Sequence, residues 1–301
     1  MLEDKIRYSK EVIKVASELS QTYYHKPVVV CYSGGKDSDV LLDIVKNTLK
    51  PSEYKVLNSH TTLDAPETVY YIRRKFEELR AEGIECEVSY PYYKGERTSF
   101  WKLCREKQML PTRMVRYCCS VLKETSTPNQ IALLGVREAE SVNRRGRDDF
   151  GVRARRRSES VYKSAQHTKA MIAFDKDGTH SFECEIIKNA KKNNDIVSLP
   201  VYKFSNREVW EYIEIHNLDV NPLYKKGYDR VGCIGCPLAR NRKKEFADYP
   251  KYRENFIKCA DRLVEDRKKA NKFNSFEDGL AMFLWWIEEN PNQMTIDDFL
   301  E

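Results

Sequence analysis

The chain has 301 residues, of which 41% are hydrophobic and 33% are charged, and its formal net charge is +6. This balance is typical of a folded globular protein, because disordered chains have fewer apolar residues and a more one-sided charge. No apolar run approaches the ~18 residues that a membrane-spanning helix needs, and the charged start lacks the apolar stretch of a secretory signal, so we expect a cytoplasmic protein without membrane contact.

The first half of the chain alternates between predicted strands and helices. The predicted strands are residues 27–32, 54–58, 84–89 and 131–136. The first is a continuous apolar run, as in strands that are buried on both faces of a sheet. The predicted helices are residues 39–50 and 66–82. Strands separated by helices of this length form parallel sheets with right-handed crossovers, so the sequence predicts a doubly wound, mostly parallel α/β sheet.

The second half departs from this alternation between about residues 146 and 194. Asp177 and Gly178 separate two strand-like runs there, which predicts an inserted β-hairpin. The alternation resumes with a predicted strand at 196–199 and a helix that begins at a capping box, Ser205 to Glu208. Beyond Cys236 the pattern is helical. We therefore predict an α/β domain at residues 1–240 with an insertion at about 146–194, and a helical C-terminal extension at 241–301.

Arginine is concentrated in one segment, residues 137–157. Eight arginines stand against four acidic residues there, a local balance of +4. A guanidinium group makes paired hydrogen bonds to phosphate that an ammonium group cannot make, which favours an anionic partner. A solvated loop is the alternative interpretation of such a charge run.

A glycine-rich turn joins the first predicted strand to its helix. It consists of Ser33, Gly34, Gly35, Lys36, Asp37 and Ser38, and we call it the phosphate loop. At this edge of an open α/β sheet, backbone N–H groups, two hydroxyls, the Lys36 charge and the positive end of a helix can converge on an anion. The spacing is neither that of a Walker A loop nor that of a dinucleotide-binding fingerprint. The turn therefore predicts phosphate binding, with a purely structural turn as the alternative.

Four of the nine cysteines fall into two short groups. These four, which we call the cysteine quartet, are Cys118, Cys119, Cys233 and Cys236. An odd total in a reducing compartment argues against disulfides. Four thiolates from two segments can hold an iron–sulfur cluster or structural zinc, although adjacent cysteines are less usual for zinc, and unliganded thiols are the third possibility. The remaining cysteines are expected to be small buried hydrophobic residues, namely Cys31, Cys86, Cys104, Cys184 and Cys259.

The phosphate loop resembles the PP-loop of the ATP pyrophosphatases, a family that splits ATP between its α and β phosphates and transfers AMP to an acceptor. Other segments resemble the phosphoadenosine phosphosulfate reductase branch of that family. They are residues 116–123, residues 134–141 with Arg144 and Arg145, and residues 233–236. The resemblance covers about residues 25–240 apart from the insertion.

This resemblance implies a set of site residues and cofactors. ATP and Mg²⁺ are the implied ligands, with Lys36 and Asp37 as the catalytic residues. The phosphate loop would surround the phosphates, and the other nucleotide contacts would be Thr62, Asp64, Gly135 and Arg137. For Asp64, a helix N-terminal acid beside Pro66 is the alternative. The cysteine quartet resembles the [4Fe–4S] site of assimilatory adenylylsulfate reductases.

The resemblance to the reductases is incomplete. Those enzymes attack the sulfate sulfur with a cysteine in a C-terminal Glu-Cys-Gly-Leu-His motif, and no cysteine follows Cys259 here. A PP-loop and a cluster without that motif are similar to the ATP pyrophosphatase component of DNA phosphorothioation systems, which replace a non-bridging phosphate oxygen by sulfur. We therefore expect an ATP pyrophosphatase that activates a DNA phosphate, with a cysteine desulfurase as the sulfur donor.

Three other functions stay open at this point. The first is a thiol-dependent reductase of adenylylsulfate or phosphoadenylylsulfate, which would need an internal thiol such as Cys184 or Cys259. The second is tRNA thiolation, which PP-loop enzymes also perform. The third is a non-catalytic nucleic-acid-binding or redox-sensing protein that kept the fold, although such a protein has little physical reason to keep an intact phosphate loop.

Overall fold

The structure is a computed structural model, and it describes residues 1–124, 127, 130–140, 144–154, 172–174, 180–182 and 194–288. The chain divides into two units. Unit 1 consists of Met1–Ser59, Pro66–Ser89 and Ser126–Val231, and unit 2 consists of His60–Ala65, Tyr90–Thr125 and Gly232–Glu301. Each unit is made of three separate segments of the chain, whereas the sequence predicted two continuous domains that meet at residue 240. The predicted domain boundary stays a prediction.

Unit 1 is built on a six-stranded sheet. Its strands are β1 (Val28–Cys31), β2 (Tyr54–Ser59), β3 (Glu85–Ser89), β6 (Ile131–Leu134), β7 (Phe150–Ala154) and β10 (Asn194–Ser198). They lie in the order β3-β2-β1-β6-β10-β7, and all neighbours are parallel except β10 and β7. The predicted doubly wound, mostly parallel α/β sheet is therefore confirmed.

Helices cover this sheet with their apolar sides. They are α1 (Leu2–Tyr24), α2 (Lys36–Lys46), α3 (Pro66–Ala81) and α6 (Asn206–Ile215). Helix α1 was not predicted, yet Val12, Ile13 and Ala16 are wholly buried in the core. Helix α2 begins three residues earlier than predicted because Gly35, inside the phosphate loop, is its N-cap.

The segment predicted as an insertion contributes to the main sheet as well. Strand β7 falls within it and pairs antiparallel with β10, with Gly151 beside Val197. The predicted hairpin is confirmed by β8 (Ile172–Phe174) and β9 (His180–Phe182), which pair antiparallel. Its turn residues Asp177 and Gly178 lie outside the described residues. The alternating pattern signals parallel strands followed by helices, so it gave no warning of an antiparallel edge strand.

Unit 2 is mostly helical. Its elements are a short hairpin of β4 (Tyr92–Tyr93) and β5 (Glu96–Arg97), and helices α4 (Phe100–Lys107), α5 (Tyr117–Leu122), α7 (Arg242–Asp248), α8 (Pro250–Lys269) and α9 (Gly279–Ile287). Aromatic rings form its core, in which Phe256 stacks on Trp286 with centroids 4.9 Å apart and meets Phe246 edge-on at 5.2 Å. The helical pattern predicted beyond Cys236 is confirmed. None of the helices in the described part of the chain is both long and apolar enough to cross a membrane.

The predicted capping box at the start of α6 is formed. Ser205 Oγ accepts a hydrogen bond from the Glu208 N–H at 3.2 Å, and the Glu208 carboxylate accepts one from the Ser205 N–H at 2.8 Å. The Lys5 ammonium of α1 also donates to Glu208 at 2.7 Å. Burial alone would raise the pKa of Glu208, but the hydrogen bonds from Lys5 and Ser205 outweigh it and lower the pKa to about 2.

We expect Glu208→Gln to lower the free energy of unfolding at pH 7 by roughly 1 kcal/mol, because a charge-assisted cap and an ion pair are lost. The folded-state pKa of Glu208 lies below its ordinary value of 4.5. The ionised carboxylate therefore stabilises the folded protein fully above pH 4.5, and this contribution disappears as the pH falls towards 2. Chemical denaturation from pH 7 to pH 3 should therefore show the variant converging on the wild type. Glu214→Gln, at an exposed position of the same helix, is the control, and equal losses in both variants would contradict the assignment.

Candidate functional site

The phosphate loop folds around the hydroxyl of its last residue. Ser38 Oγ donates to the Gly35 carbonyl oxygen at 2.7 Å and accepts from the N–H groups of Gly35 and Ser33 at 3.2 and 3.3 Å. Because α2 begins at Lys36, the positive end of a helix lies within the loop. The predicted strand, glycine turn and helix are all present, and the hydroxyl holds the turn in one conformation.

Two glycines allow other backbone and side chains to approach the loop closely. Gly34 has a φ of +70°, and a Cβ there would lie 2.9 Å from Ile72 Cγ1. Gly135 follows β6, and a Cβ on it would lie 2.9 Å from the Asp37 carbonyl oxygen and 3.1 Å from the Ser38 nitrogen. The end of β6 therefore packs directly on the loop backbone, which no side chain at position 135 would permit.

Two cations and a carboxylate are buried at the loop. Lys36 is 6% exposed and Arg137 is 3% exposed. Arg137 Nε donates to Asp37 Oδ1 at 2.7 Å, and Lys36 Nζ lies 3.7 Å from Asp37 Oδ2. Burial raises the pKa of Asp37, and the charges of Lys36 and Arg137 oppose that rise. With Asp37 ionised, one positive charge is left over, which suits a polyanionic ligand.

Sequence reasoning missed two residues that contact the loop. Asn221 is fully buried, and its Nδ2 donates to the Gly34 carbonyl oxygen at 3.1 Å and to Thr68 Oγ1 at 3.0 Å. The Tyr224 hydroxyl accepts the Lys36 N–H at 2.9 Å, and the Lys36 ammonium lies 5.4 Å from its ring centroid. The Lys36 N–H is thus already bonded within the protein. Neither residue has a signal in the sequence, since both are more than 180 positions from the loop.

A third missed residue is the carboxyl that follows the loop. Asp39 Oδ1 accepts hydrogen bonds from the hydroxyls of Tyr32 and Tyr71, at 2.5 and 3.1 Å. Burial raises the pKa of Asp39 to about 7, and the two tyrosine hydrogen bonds oppose the rise. Asp39 can therefore change its charge near neutral pH, one residue after the loop ends.

Both halves of the cysteine quartet belong to unit 2. Cys118 and Cys119 lie in the first turn of α5, and all four thiols are free and half-buried. The pKa of Cys118 is raised, first by its hydrogen bond to Cys119, then by burial and by the charges of Cys119, Cys233 and Cys236. The ionisation of Cys118 is therefore coupled to that of the other three thiols.

The turn that carries Cys233 and Cys236 is closely packed. Gly235 has a φ of +71°, and a Cβ there would lie 2.5 Å from Phe246 Cζ, so only glycine fits. The Gly235 N–H donates to Glu245 Oε2 at 2.7 Å, and a 3.4 Å hydrogen bond joins the Cys233 sulfur to the Thr61 hydroxyl. These contacts fix the direction in which the two thiols project.

Positive charge accompanies the quartet. The pKa of Lys123 is raised, above all by Cys233 and then by Asp64, Cys119 and Cys236. The pKa of Cys119 is lowered by the hydrogen bond from Cys118, with Lys123 adding to the effect. Among the described residues, no three His, Cys, Asp or Glu side chains are placed so that they could hold a metal ion. This finding supports neither the zinc alternative nor the cluster, and the [4Fe–4S] cluster stays a prediction.

Two of the predicted nucleotide contacts belong to unit 2, not to the unit that carries the phosphate loop. Thr62 has a φ of +65°, and its Oγ1 accepts the Phe100 N–H at 2.9 Å. Asp64 Oδ2 accepts the Thr61 N–H at 2.9 Å, and the Asp64 backbone pairs with Cys233 in an antiparallel bridge. The nucleotide role of Thr62 and Asp64 stays a prediction.

The arginine segment is described only in part. Arg144 forms an ion pair with Glu140, Arg145 is exposed, and the Arg147 N–H donates to the Tyr202 hydroxyl at 2.9 Å. Arginines 155–157 lie outside the described residues, as does Cys184. The anionic partner predicted from this segment therefore stays a prediction.

We expect Gly135→Ala to abolish the binding of inorganic pyrophosphate, because the new methyl group would overlap the backbone of Asp37 and Ser38. The shift of Tm on adding pyrophosphate measures this. Gly151→Ala is the control, since a Cβ there would meet only Val197 at an ordinary 3.6 Å. An unchanged shift in Gly135→Ala would show that the loop is not the anion site.

Comparison with known proteins identifies the family of the chain. Residues 27–239 match the phosphoadenosine phosphosulfate reductase domain family. Two uncharacterised proteins of Methanocaldococcus jannaschii are 23% and 25% identical over 100% and 86% of this chain, which spans only 64% and 45% of their length. An adenosine 5'-phosphosulfate reductase of Anoxybacillus flavithermus is 21% identical over 71% of this chain and 74% of its own.

Among solved structures, the phosphoadenylyl-sulfate reductase from Candida auris aligns with a TM-score of 0.41 and 15% identity, covering 75% of this chain and 87% of that one. The family match extends over residues 27–239. This range contains the phosphate loop, Gly135, Arg137 and the whole cysteine quartet. The chain therefore belongs to the phosphoadenosine phosphosulfate reductase domain family.

Proposed function

We propose that this protein is a PP-loop ATP pyrophosphatase, which cleaves ATP between its α and β phosphates and transfers AMP to a DNA phosphate oxygen so that sulfur can replace that oxygen. The observation that carries the proposal is the phosphate loop itself. It holds a buried Lys36 and an Asp37–Arg137 ion pair at the N-terminus of α2, leaving one positive charge over. That is an arrangement for a polyphosphate and not for a neutral ligand.

Each residue of the loop has a task in this reaction. The loop N–H groups and hydroxyls would bind the β and γ phosphates, and Lys36 would offset the charge that develops on the pyrophosphate leaving group. A magnesium ion that enters with ATP would supply further positive charge at the phosphates. Because Tyr224 already accepts the Lys36 N–H, a phosphate oxygen would replace the tyrosine hydroxyl as acceptor. Arg137 would hold Asp37 in place throughout.

Two surface features support a nucleic-acid acceptor. The arginine segment carries a local charge of +4, which favours a phosphate backbone. In unit 2, Tyr90 and Tyr92 beside and within the β4–β5 hairpin are 43% and 61% exposed, and the Arg97 guanidinium lies 3.9 Å from the Tyr90 ring centroid. Exposed aromatic rings beside cations are typical of surfaces on which unpaired bases stack. Both features favour DNA over a small sulfate ester.

The proposal of an iron–sulfur cluster rests on the donor chemistry of the cysteine quartet and not on a preformed metal site, since no three of the described ligand side chains are placed to hold a metal ion. Four free thiols from two segments influence one another's ionisation, and Lys123 supplies positive charge that would offset an anionic cluster. We infer that Cys118, Cys119, Cys233 and Cys236 hold a [4Fe–4S] cluster. When bound, such a group supplies electron transfer or a structural cross-link. A cysteine desulfurase would be the source of sulfur for the modification.

A second candidate function is reduction of adenylylsulfate to sulfite. Similarity to proteins that bear the name of this activity favours it. Adenosine 5'-phosphosulfate reductases of Anoxybacillus flavithermus and Bacillus cereus are 21% and 26% identical to this chain, over 71% and 78% of its length. The reaction needs a thiol nucleophile at the sulfate. Release of sulfite from adenylylsulfate in the presence of a dithiol would decide for this function.

We expect Lys36→Ala to abolish AMP formation from ATP and Mg²⁺, because the charge of the leaving group would no longer be offset. Anaerobically purified protein is incubated with ATP, with and without single-stranded DNA, and AMP and ADP are separated. The wild type should form AMP and pyrophosphate, and DNA should increase the yield. Lys46→Ala, on the same helix but at the surface, is the control and should keep full activity.

The arms of this experiment separate the candidate functions. AMP formation that rises with tRNA and not with DNA would move the acceptor to RNA. AMP formation that persists in Lys36→Ala would refute the assignment of the phosphate loop. Sulfite from adenylylsulfate, without AMP from ATP, would replace the pyrophosphatase by the reductase.

We expect Cys119→Ser and Cys233→Ser each to lose the iron and acid-labile sulfide of the anaerobically isolated protein, because each removes one ligand. Elemental analysis and the visible absorption spectrum measure the loss. Cys86→Ser, at a half-buried thiol on β3 in the other unit, should retain both. Zinc in place of iron, or a wild type without either metal, would contradict the cluster.

A further inference from the structure

A second pair of thiols lies in unit 2, outside the cysteine quartet. Cys104 on α4 is wholly buried and Cys259 on α8 is 5% exposed. The Cys104 thiol is hydrogen-bonded to the Cys259 sulfur, and the Tyr117 hydroxyl donates to Cys104 Sγ at 3.2 Å. The sequence predicted two small buried hydrophobic residues here, but in the structure each thiol shifts the pKa of the other.

Cys259 is not sealed inside the core. It lines a cavity of about 670 Å³ together with Trp101 and a set of charged side chains. The cations of this lining are Lys102, Arg105, Lys258 and Arg262, and the acids are Glu106 and Asp266. Four cations against two acids leave a net charge of +2, so the cavity suits a small anion.

Two of these cations are not neutralised by an acid. Arg105 forms a two-point ion pair with Asp266, at 3.0 to 3.2 Å. Lys258 and Arg262, by contrast, form no ion pair among the described residues. They lie one position before and three positions after Cys259 on α8, so Arg262 is on the same helix face as the thiol.

This environment separates the two thiols chemically. The hydrogen bond from Cys104 and the charges of Arg262 and Arg105 outweigh burial and lower the pKa of Cys259. Burial, first of all, and the same hydrogen bond raise the pKa of Cys104. The environment thus favours the thiolate form at Cys259, which lines the cavity, and the protonated form at Cys104. Cys86 shows the contrast, since burial raises its pKa to about 11.

We propose that Cys259 accepts sulfane sulfur from an anionic persulfide that binds in this cavity, and that Cys104 then releases the sulfur as hydrogen sulfide. The purpose of this step, supply of sulfur to an activated acceptor, rests on the proposed function. The step itself needs no ATP, so the two can fail independently.

The chemistry balances in two steps. The Cys259 thiolate attacks the terminal sulfur of the persulfide R–S–SH, a new S–S bond forms, the bond of the donor breaks, and R–S⁻ leaves with the electron pair. Cys104 then attacks Cys259 Sγ, a Cys104–Cys259 disulfide forms, and the terminal sulfur leaves as HS⁻, which the Cys104 proton converts to H₂S. The sulfane sulfur is reduced, the two cysteines are oxidised, and a dithiol reductant restores them.

The test uses the reduced, full-length protein and glutathione persulfide, in the absence of ATP. Released sulfide is measured, and Cys104 and Cys259 are followed by mass spectrometry of their peptides. The wild type should release one sulfide per protein and form the Cys104–Cys259 disulfide. Cys104→Ser should keep the added sulfur on Cys259 and release none. Cys259→Ser should lose both the adduct and the release.

Controls keep structural effects apart from chemistry. Arg262→Gln should slow sulfur uptake roughly tenfold, because the cation attracts the anionic donor, whereas Arg253→Gln on the same helix should not. Cys86→Ser should behave as the wild type. The rate of AMP formation from ATP is measured on every variant as well. A Cys259→Ser protein that forms AMP at the wild-type rate but releases no sulfide would show that sulfur transfer and ATP cleavage are separate activities. Sulfide release that is unchanged in Cys259→Ser would overturn the proposal. A Cys104→Ser protein that gains no sulfur on Cys259 would overturn it as well.

Discussion

The phosphate loop depends on one buried ion pair. Arg137 and Asp37 are 100 positions apart, and their contact ties the residues after β6 to the first turn of α2. Removing two charges from water is expensive, and their mutual attraction rarely does more than offset that loss. The pair is therefore a means of positioning. It holds the Asp37 carboxylate so that Lys36 is only partly neutralised, and Gly135 makes room for the close approach that this requires.

The surroundings of the loop extend this arrangement. Asn221 donates to the Gly34 carbonyl oxygen and Tyr224 accepts the Lys36 N–H, so the protein itself holds the loop in one hydrogen-bonded conformation. A ligand that replaces the Tyr224 hydroxyl needs no rearrangement of the backbone. Preorganisation of this kind spares the ordering cost that a flexible phosphate-binding loop incurs on binding.

Unit 2 shows how environment, and not residue type, decides what a thiol can do. In the quartet, whose thiols are half-buried, three of the four interact with the charge of Lys123, namely Cys119, Cys233 and Cys236. Cys104 and Cys259 form a couple in which one sulfur donates to the other beside Arg262. Cys86 is half-buried on a strand, where burial raises its pKa although the charge of Arg80 opposes the rise. Three chemistries of one residue type thus follow from hydrogen bonds and nearby charge.

Much of this could be predicted from the sequence, because the relevant signals are local. A buried apolar run, a glycine turn and a capping box each depend on a few neighbouring residues, so β1, the phosphate loop and the start of α6 were all predicted close to where the structure has them. Helix α1 and strand β7 were missed, since an amphipathic opening segment and an antiparallel edge strand do not follow the strand–helix alternation. The two pairs of the quartet were recognised as motifs.

Tertiary structure alone decided which distant residues meet. Asp37 with Arg137, Gly34 with Asn221, and Cys104 with Cys259 are brought together by the packing of separate elements, and no periodicity or spacing in the chain encodes these pairs. The same holds for charge, since the reactivity of a carboxyl or a thiol depends on burial and on partners that only the folded chain supplies. The sequence by itself determined the type of fold and the place of the phosphate loop; the folded chain determined which side chains surround that loop and which cysteines can act together.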